Sequence, residues 1–163
     1  WLTWQPAPPT LGRIALEGLL VGLGVGLAEE LLFRGWLLDE LRYDWGFTPA
    51  LWASGTIYAA LHFIKPWEAI VKELPSFPGL LLLGLTLGWA RQRTAGRLGL
   101  AIGLHGGLVA GYYLIDVGDL AIYTGRVPEW VTGLNQNPLA GAMGVLFLAL
   151  ISAGIRYIPS ASR

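Results

Sequence analysis

The chain has no cysteine, which excludes a disulfide framework, a thiolate metal site and a cysteine nucleophile. Charge is scarce as well. Asp, Glu, Lys and Arg make up 13% of the residues, and eleven basic side chains balance eleven acidic ones. A net charge of zero offers no field to attract nucleic acid or a strongly charged partner, so no nucleic-acid partner is expected. Histidine occurs only at His62 and His105. No positively charged leader precedes the first apolar segment, which follows Trp1 closely, so no signal peptide is read. The chain is expected to be one integral membrane domain over residues 1–163 that lacks some N-terminal residues.

Apolar side chains fill the space that charge leaves. At 54% hydrophobic residues and a mean hydropathy of +0.54, the composition is that of an integral membrane protein whose main partner is the lipid bilayer. Apolar segments run over about 11–38, 50–64, 79–89, 98–115 and 139–158. A spanning helix needs about 20 residues, and several segments approach that length. Pro49, Pro66, Pro75, Pro78, Pro128 and Pro138 fall at the borders, where a missing backbone donor does least harm. Tyr43, Trp45, Trp52, Trp67, Trp89, Tyr123 and Trp130 lie near segment ends, as in an aromatic belt. The mixed stretch from Lys65 to Phe77 reads as a short helix lying in the interface. The expected fold is therefore all-α: a polytopic membrane bundle of about five transmembrane helices plus one interfacial helix.

Arg91, Arg93 and Arg97 crowd the third connection, while the fourth carries Asp116, Asp119 and Glu129 against Arg126 alone. The positive-inside bias places the third connection, and the C-terminus with Arg156 and Arg163, in the cytoplasm or its equivalent. Lys65 and Lys72 argue weakly the other way. Glycines recur every fourth residue at Gly18, Gly22 and Gly26, at Gly84 and Gly88, and at Gly99, Gly103, Gly107 and Gly111. Such stripes are expected to be faces on which helices approach closely.

Against this background the polar groups inside the spans stand out: Glu17, Glu29, Glu30, Arg34, His62 and His105. An ionisable group in lipid costs at least about 2.5 kcal/mol when unpaired, so each needs a partner or a function. Glu17 lies one turn after Arg13 near a span end, where an interfacial pair explains it. Glu30 and Arg34 stand about 40° apart on one helical face, which makes Glu30 the neutralised partner. Glu29 projects about 100° away, within the stripe of Gly18, Gly22 and Gly26, with no cation assigned to it. A carboxylate desolvated in this way suits a general base. A buried ion-pair cluster of all three, holding two helices in register, explains the residues equally well. Ser54, Tyr58 and His62 share one face of the second span. With alternating helices, Glu29, His62 and His105 lie roughly 10 to 18 Å from the same membrane surface, so the three can meet in one layer.

These residues also carry a resemblance. Glu29-Glu30-Leu-Leu-Phe-Arg34 matches the EExxxR motif of the type II CAAX prenyl endopeptidase and bacteriocin-processing (CPBP, or Abi) family of intramembrane proteases. Tyr58-Ala-Ala-Leu-His62 is similar to its FxxxH motif, with tyrosine for phenylalanine. His105-Gly-Gly-Leu-Val109 resembles the third motif with Val109 where the family has asparagine. The resemblance covers about 11–115 plus a final helix. It implies an intramembrane endopeptidase in which Glu29 and His62 activate a water, His105 stabilises the oxyanion, and Glu30, Arg34 and Tyr58 give support. Val109 removes one donor, a loss of about a hundredfold or more in rate where such a donor matters. Zinc has been attributed to the family, and two histidines with a glutamate suit zinc; the preferred reading is a metal-free glutamate site without a cofactor.

Two functions follow from the resemblance. One is hydrolysis of a peptide bond in a membrane-associated peptide or protein substrate. The other is a catalytically degenerate scaffold or assembly subunit among neighbouring subunits of a membrane complex, for which chloroplast relatives leave a photosynthetic role open. The bacterial inner membrane and the thylakoid are both compatible locations. A transporter or channel subunit has less support, since the polar residues are too few to line a path.

Overall fold

Every expected apolar segment forms a helix, because a lipid-exposed backbone can satisfy its polar groups only within its own segment. The computed structural model describes residues 2–159. Its order is β1 (Leu2–Trp4), α1 (Leu11–Glu29), a π-helical stretch (Glu30–Leu37), α2 (Leu38–Trp45), α3 (Phe47–Leu61), α4 (Trp67–Glu73), α5 (Phe77–Arg93), α6 (Gly99–Val117), β2 (Ala121–Tyr123), α7 (Glu129–Thr132) and α8 (Ala142–Tyr157). Trp1 and Arg163, used in the readings above, lie outside the described residues.

Three helical runs are long and apolar enough to cross a membrane: Leu11–Trp45, Trp67–Arg93 and Gly99–Val117. Helices α3 and α8, at 15 and 16 residues, are shorter than the five-span expectation assumed. Helix α3 is bounded locally. It starts after Gly46 at φ +75 and stops before Pro66, whose ring disfavours helix at the preceding residue. The interfacial helix is present as α4, which has no buried residue and exposes Trp67 and Val71.

The tightest seam joins α1 to α6, which run antiparallel. Gly18 faces Ala110 and Tyr113, and Gly26 faces Ile102 and Gly106; a Cβ added at Gly106 would stand 2.6 Å from the Gly22 carbonyl oxygen. Backbones this close bring dispersion and polar contacts that larger residues would block. The expected stripe on α6 is not this seam. Gly99, Gly103, Gly107 and Gly111 are exposed, with nothing within 4 Å of an added Cβ. Only one row of α6 can turn inward, and His105, 4% exposed, lies on the side of Gly106. Facing the other row toward α1 would swing an imidazole into lipid.

On the far side, Gly84 of α5 meets Gly55 of α3, and Leu51 packs over Gly88. Thr86 of α5 and Ser152 of α8 are hydrogen-bonded partners, both buried. At one end of the bundle Arg91 donates to both carboxylate oxygens of Asp39, at 2.8 and 2.7 Å. At the other end β1 pairs antiparallel with β2 in the register Leu2 to Tyr123, a small sheet the all-α reading did not contain. Pairing across so long a separation has no local signal.

The seam predicts opposite outcomes at neighbouring glycines. Gly106→Val should destabilise the bundle by about 2 kcal/mol or more through overpacking, whereas Gly103→Val should leave it within about 0.5 kcal/mol. Thermal unfolding in mild detergent distinguishes them, and equal behaviour would refute the assignment of faces.

Candidate active site

Three elements bring the polar residues together. The turn carrying Glu30 and Arg34 is π-helical rather than α-helical: the Leu38 N–H reaches back five residues to the Phe33 carbonyl. Such widened turns concentrate at functional sites and are invisible to a wheel drawn at 3.6 residues per turn. Arg34 still reaches Glu30, with Nη1 donating to Oε1 at 2.9 Å. Its Nη2 donates to the Gly84 carbonyl oxygen at 3.1 Å, and the guanidinium lies 4.4 Å from the Tyr58 ring centroid. Ser54 donates to the Phe33 carbonyl at 3.1 Å, which ties α3 to the same turn.

Glu30 is fully buried, and its Oε1 also meets His105 Nδ1 at 2.8 Å. An ionised carboxylate only accepts, so Nδ1–H is the donor and Nε2 points the other way. There it lies 3.8 Å from Glu29 Oε2 and 3.5 Å from the Tyr58 hydroxyl. Glu29 is 31% exposed at its side chain, yet its Oε2 is buried without a hydrogen-bond partner. Both glutamates keep a buried Oε2 without a hydrogen-bond partner. They differ in that Glu30 is held through Oε1 by Arg34 and His105, whereas Glu29 is partly exposed and has only the 3.8 Å approach of His105.

The imidazole within 4 Å of Glu29 is that of His105. His62 follows the last residue of α3, and its Nδ1 donates at 2.8 Å to the Tyr58 carbonyl, one of the acceptors a helix end leaves unsatisfied. Tyr58 separates the two imidazoles, its ring 4.7 Å from that of His62 and 6.1 Å from that of His105.

Both histidines and Tyr58 line one cavity of about 660 Å³ between α3 and α6, where Val109 also contributes. Glu29 and Glu30 do not line it. They stand behind His105. A zinc ion does not suit this arrangement, because among the described residues no three His, Asp or Glu side chains converge on one point. The long connection after α6 covers the cavity with Leu134, Asn135, Asn137 and Pro138. Its backbone takes positive φ at Gly133, Asn135 and Gln136.

Glu17 behaves as expected, pairing with Arg13 at 2.7 Å. It also accepts from the Tyr113 hydroxyl at 3.4 Å.

A family model described as type II CAAX prenyl endopeptidase Rce1-like matches residues 12–111, a stretch that contains Glu29, Glu30, Arg34, Tyr58, His62, His105 and Val109. Comparison with curated proteins and with solved structures gives no match. With three helices long enough to span, the chain is an integral membrane protein, and its exposed leucines on α1 face lipid.

The buried pair predicts an asymmetry in stability. Arg34→Ala strands the Glu30 carboxylate and should cost about 3–5 kcal/mol, while Arg34→Met combined with Glu30→Leu should recover most of that loss. Thermal melts of the single and double variants give the comparison.

Proposed function

Because the chain belongs to the type II CAAX prenyl endopeptidase Rce1-like family, we propose that it is an intramembrane endopeptidase acting on a membrane-associated substrate held in the cavity between α3 and α6. The observation that carries this reading is the unpartnered Glu29 Oε2 beside His105 Nε2, with His105 reaching the cavity that His62 also lines. A carboxylate oxygen that no donor satisfies is a ready proton acceptor. Water in the cavity gives a proton to His105 Nε2, where the Glu29 carboxylate beside it stabilises the charge, and the hydroxide adds to the scissile carbonyl carbon. The tetrahedral oxyanion accepts from the Tyr58 hydroxyl and from the Nε2–H so formed. Collapse breaks the C–N bond, and the proton held between His105 and Glu29 goes to the departing amine. Glu30 and Arg34 act through His105 as positioning residues, holding its ring by Nδ1. His62 keeps Nε2 toward the cavity because Nδ1–H is committed to Tyr58.

A second reading has its own observation in favour. Val109 presents an apolar side chain to the cavity at the position where an amide donor is expected, and the Glu30–Arg34–His105 network by itself locks α1, α5 and α6 together. A scaffold subunit needs no more than that.

Purified protein assayed against a library of peptides, prenylated and not, decides between them. Glu29→Gln should lower kcat by about a hundredfold or more, and His62→Ala should do likewise, with unchanged melting temperatures. Wild-type turnover no greater than that of Glu29→Gln would leave only the scaffold. Val109→Asn adds an oxyanion donor and should raise kcat by about tenfold or more with little change in KM.

A further inference from the structure

A second cavity, of about 260 Å³, lies apart from the histidines, where α2 ends, α3 begins and the turn at 94–98 leaves α5. Two of the candidate spans, Leu11–Trp45 and Trp67–Arg93, finish beside it. Tyr43 and Trp45, on the same last turn of α2 as Arg42, are exposed. Aromatic side chains so placed mark the membrane–water interface. The cavity therefore sits at the depth of lipid headgroups.

Its walls divide by chemistry. Leu38 and Phe47 make an apolar floor, and Arg42, Arg91 and Gln92 supply polar groups above it. Among the described residues no Asp or Glu lines the cavity. The acids of this corner are placed elsewhere: Asp39 takes two bonds from Arg91, while Glu40 and Asp44 each stand about 160° from Arg42 around α2, on its opposite side. A guanidinium carries five N–H donors. Arg91 commits three of them, two to Asp39 and Nε–H to the Gly96 carbonyl oxygen at 3.2 Å, which fixes the group at the wall and leaves two donors over. The left-handed residues Ala95 and Gly96, at φ +54 and +86, bend the turn so that this carbonyl reaches back to Arg91. Among the described residues Arg42 has no carboxylate partner. Its guanidinium lies 5.9 Å from the Phe47 ring centroid, a contact that orients the charge without neutralising it.

We propose that this cavity binds the phosphate of an anionic lipid headgroup. Arg42, the two spare donors of Arg91 and the Gln92 amide reach the phosphate oxygens, and Leu38 and Phe47 lie against the glycerol and the first methylenes of the acyl chains. Planar guanidinium groups match phosphate geometry, and basic pockets at the ends of membrane helices suit anionic headgroups. A free phosphate ion finds the same donors but leaves the apolar floor bare, so the mixed lining and the depth favour the lipid. Phosphates lie at this depth in either leaflet, and the assignment does not depend on which way the chain inserts. A lipid held here joins the corner between α2 and α3 to the turn between α5 and α6, so it stabilises the bundle by binding its folded form.

The test uses the whole chain, purified in a neutral detergent and melted with phosphatidylglycerol, with phosphatidylcholine of the same acyl chains, or with inorganic phosphate. Phosphatidylglycerol at a hundredfold excess over its dissociation constant should raise the melting temperature by about 5 °C or more, phosphatidylcholine by much less, and inorganic phosphate hardly at all. Arg42 is exposed, so Arg42→Gln without lipid should melt within about 2 °C of the wild type. In phosphatidylglycerol this variant should lose most of the shift, and Arg42→Lys, which keeps the charge but not the fork, should retain part of it. Native mass spectrometry should show one phosphatidylglycerol retained by the wild type and released from Arg42→Gln and from Gln92→Ala. Equal shifts from the two lipids, or a full phosphatidylglycerol shift in Arg42→Gln, overturn the assignment. A shift produced by inorganic phosphate and not by phosphatidylglycerol overturns it as well, since the site then takes a soluble anion. Melting and lipid retention do not depend on turnover, so the outcome of the Glu29→Gln assay does not bear on this result.

Discussion

The carboxylate of Glu30 is the constraint around which the bundle is arranged. It is fully buried in a region bounded by lipid, where an uncompensated charge is prohibitive, so its partners must arrive with correct geometry or the fold fails. Arg34 supplies the opposite charge from the next turn, and His105 supplies an N–H from α6. Arg34 in turn needs acceptors for its remaining donors and finds one in the Gly84 carbonyl of α5. Three helices are thereby brought to one level by hydrogen-bonding demand. The π-helical turn at Glu30–Leu37 belongs to the same arrangement, since the freed geometry lets the Phe33 carbonyl accept from Ser54 of α3.

The glycine seams serve this polar layer as much as they serve packing. Helices α1 and α6 approach closely at Gly22 and Gly106, one residue from His105. A wider separation would lengthen the contact between His105 and Glu30, because short polar side chains cannot bridge a gap that bulky apolar ones would hold open. Tyr58 has a comparable place on α3: its ring covers the Arg34 guanidinium, its hydroxyl faces His105, and its carbonyl orients His62. Stability and site geometry therefore draw on the same side chains, and that is why both an enzyme and a scaffold can be built on this layer.

The carboxylates and the cavity sit on opposite sides of one imidazole. His105 presents Nδ1 to the structural glutamate and Nε2 toward Glu29 and Tyr58, while its ring lines the cavity. An acid–base function for Glu29 thus works across His105, from behind the wall of a cavity that the connection after α6 also lines. Positive φ at Gly133, Asn135 and Gln136 lets this connection fold back on itself there.

The sequence by itself determined the class and the partners within one helix. Hydropathy and proline placement located the five helices, the Arg13–Glu17 and Glu30–Arg34 pairs followed from four-residue spacing, and the contrast between Glu29 and Glu30 followed from the angle between adjacent residues. These are local quantities, and local geometry is nearly invariant along a helix. Only the tertiary structure decided which glycine row of α6 turns inward, that His105 and not His62 stands beside Glu29, that the turn after Glu29 widens, and that β1 pairs with β2. Each depends on which groups from distant segments compete for the same buried place. On α6 two small-residue rows offered equally good packing faces, and burial of one imidazole, a property of the assembled bundle, chose between them.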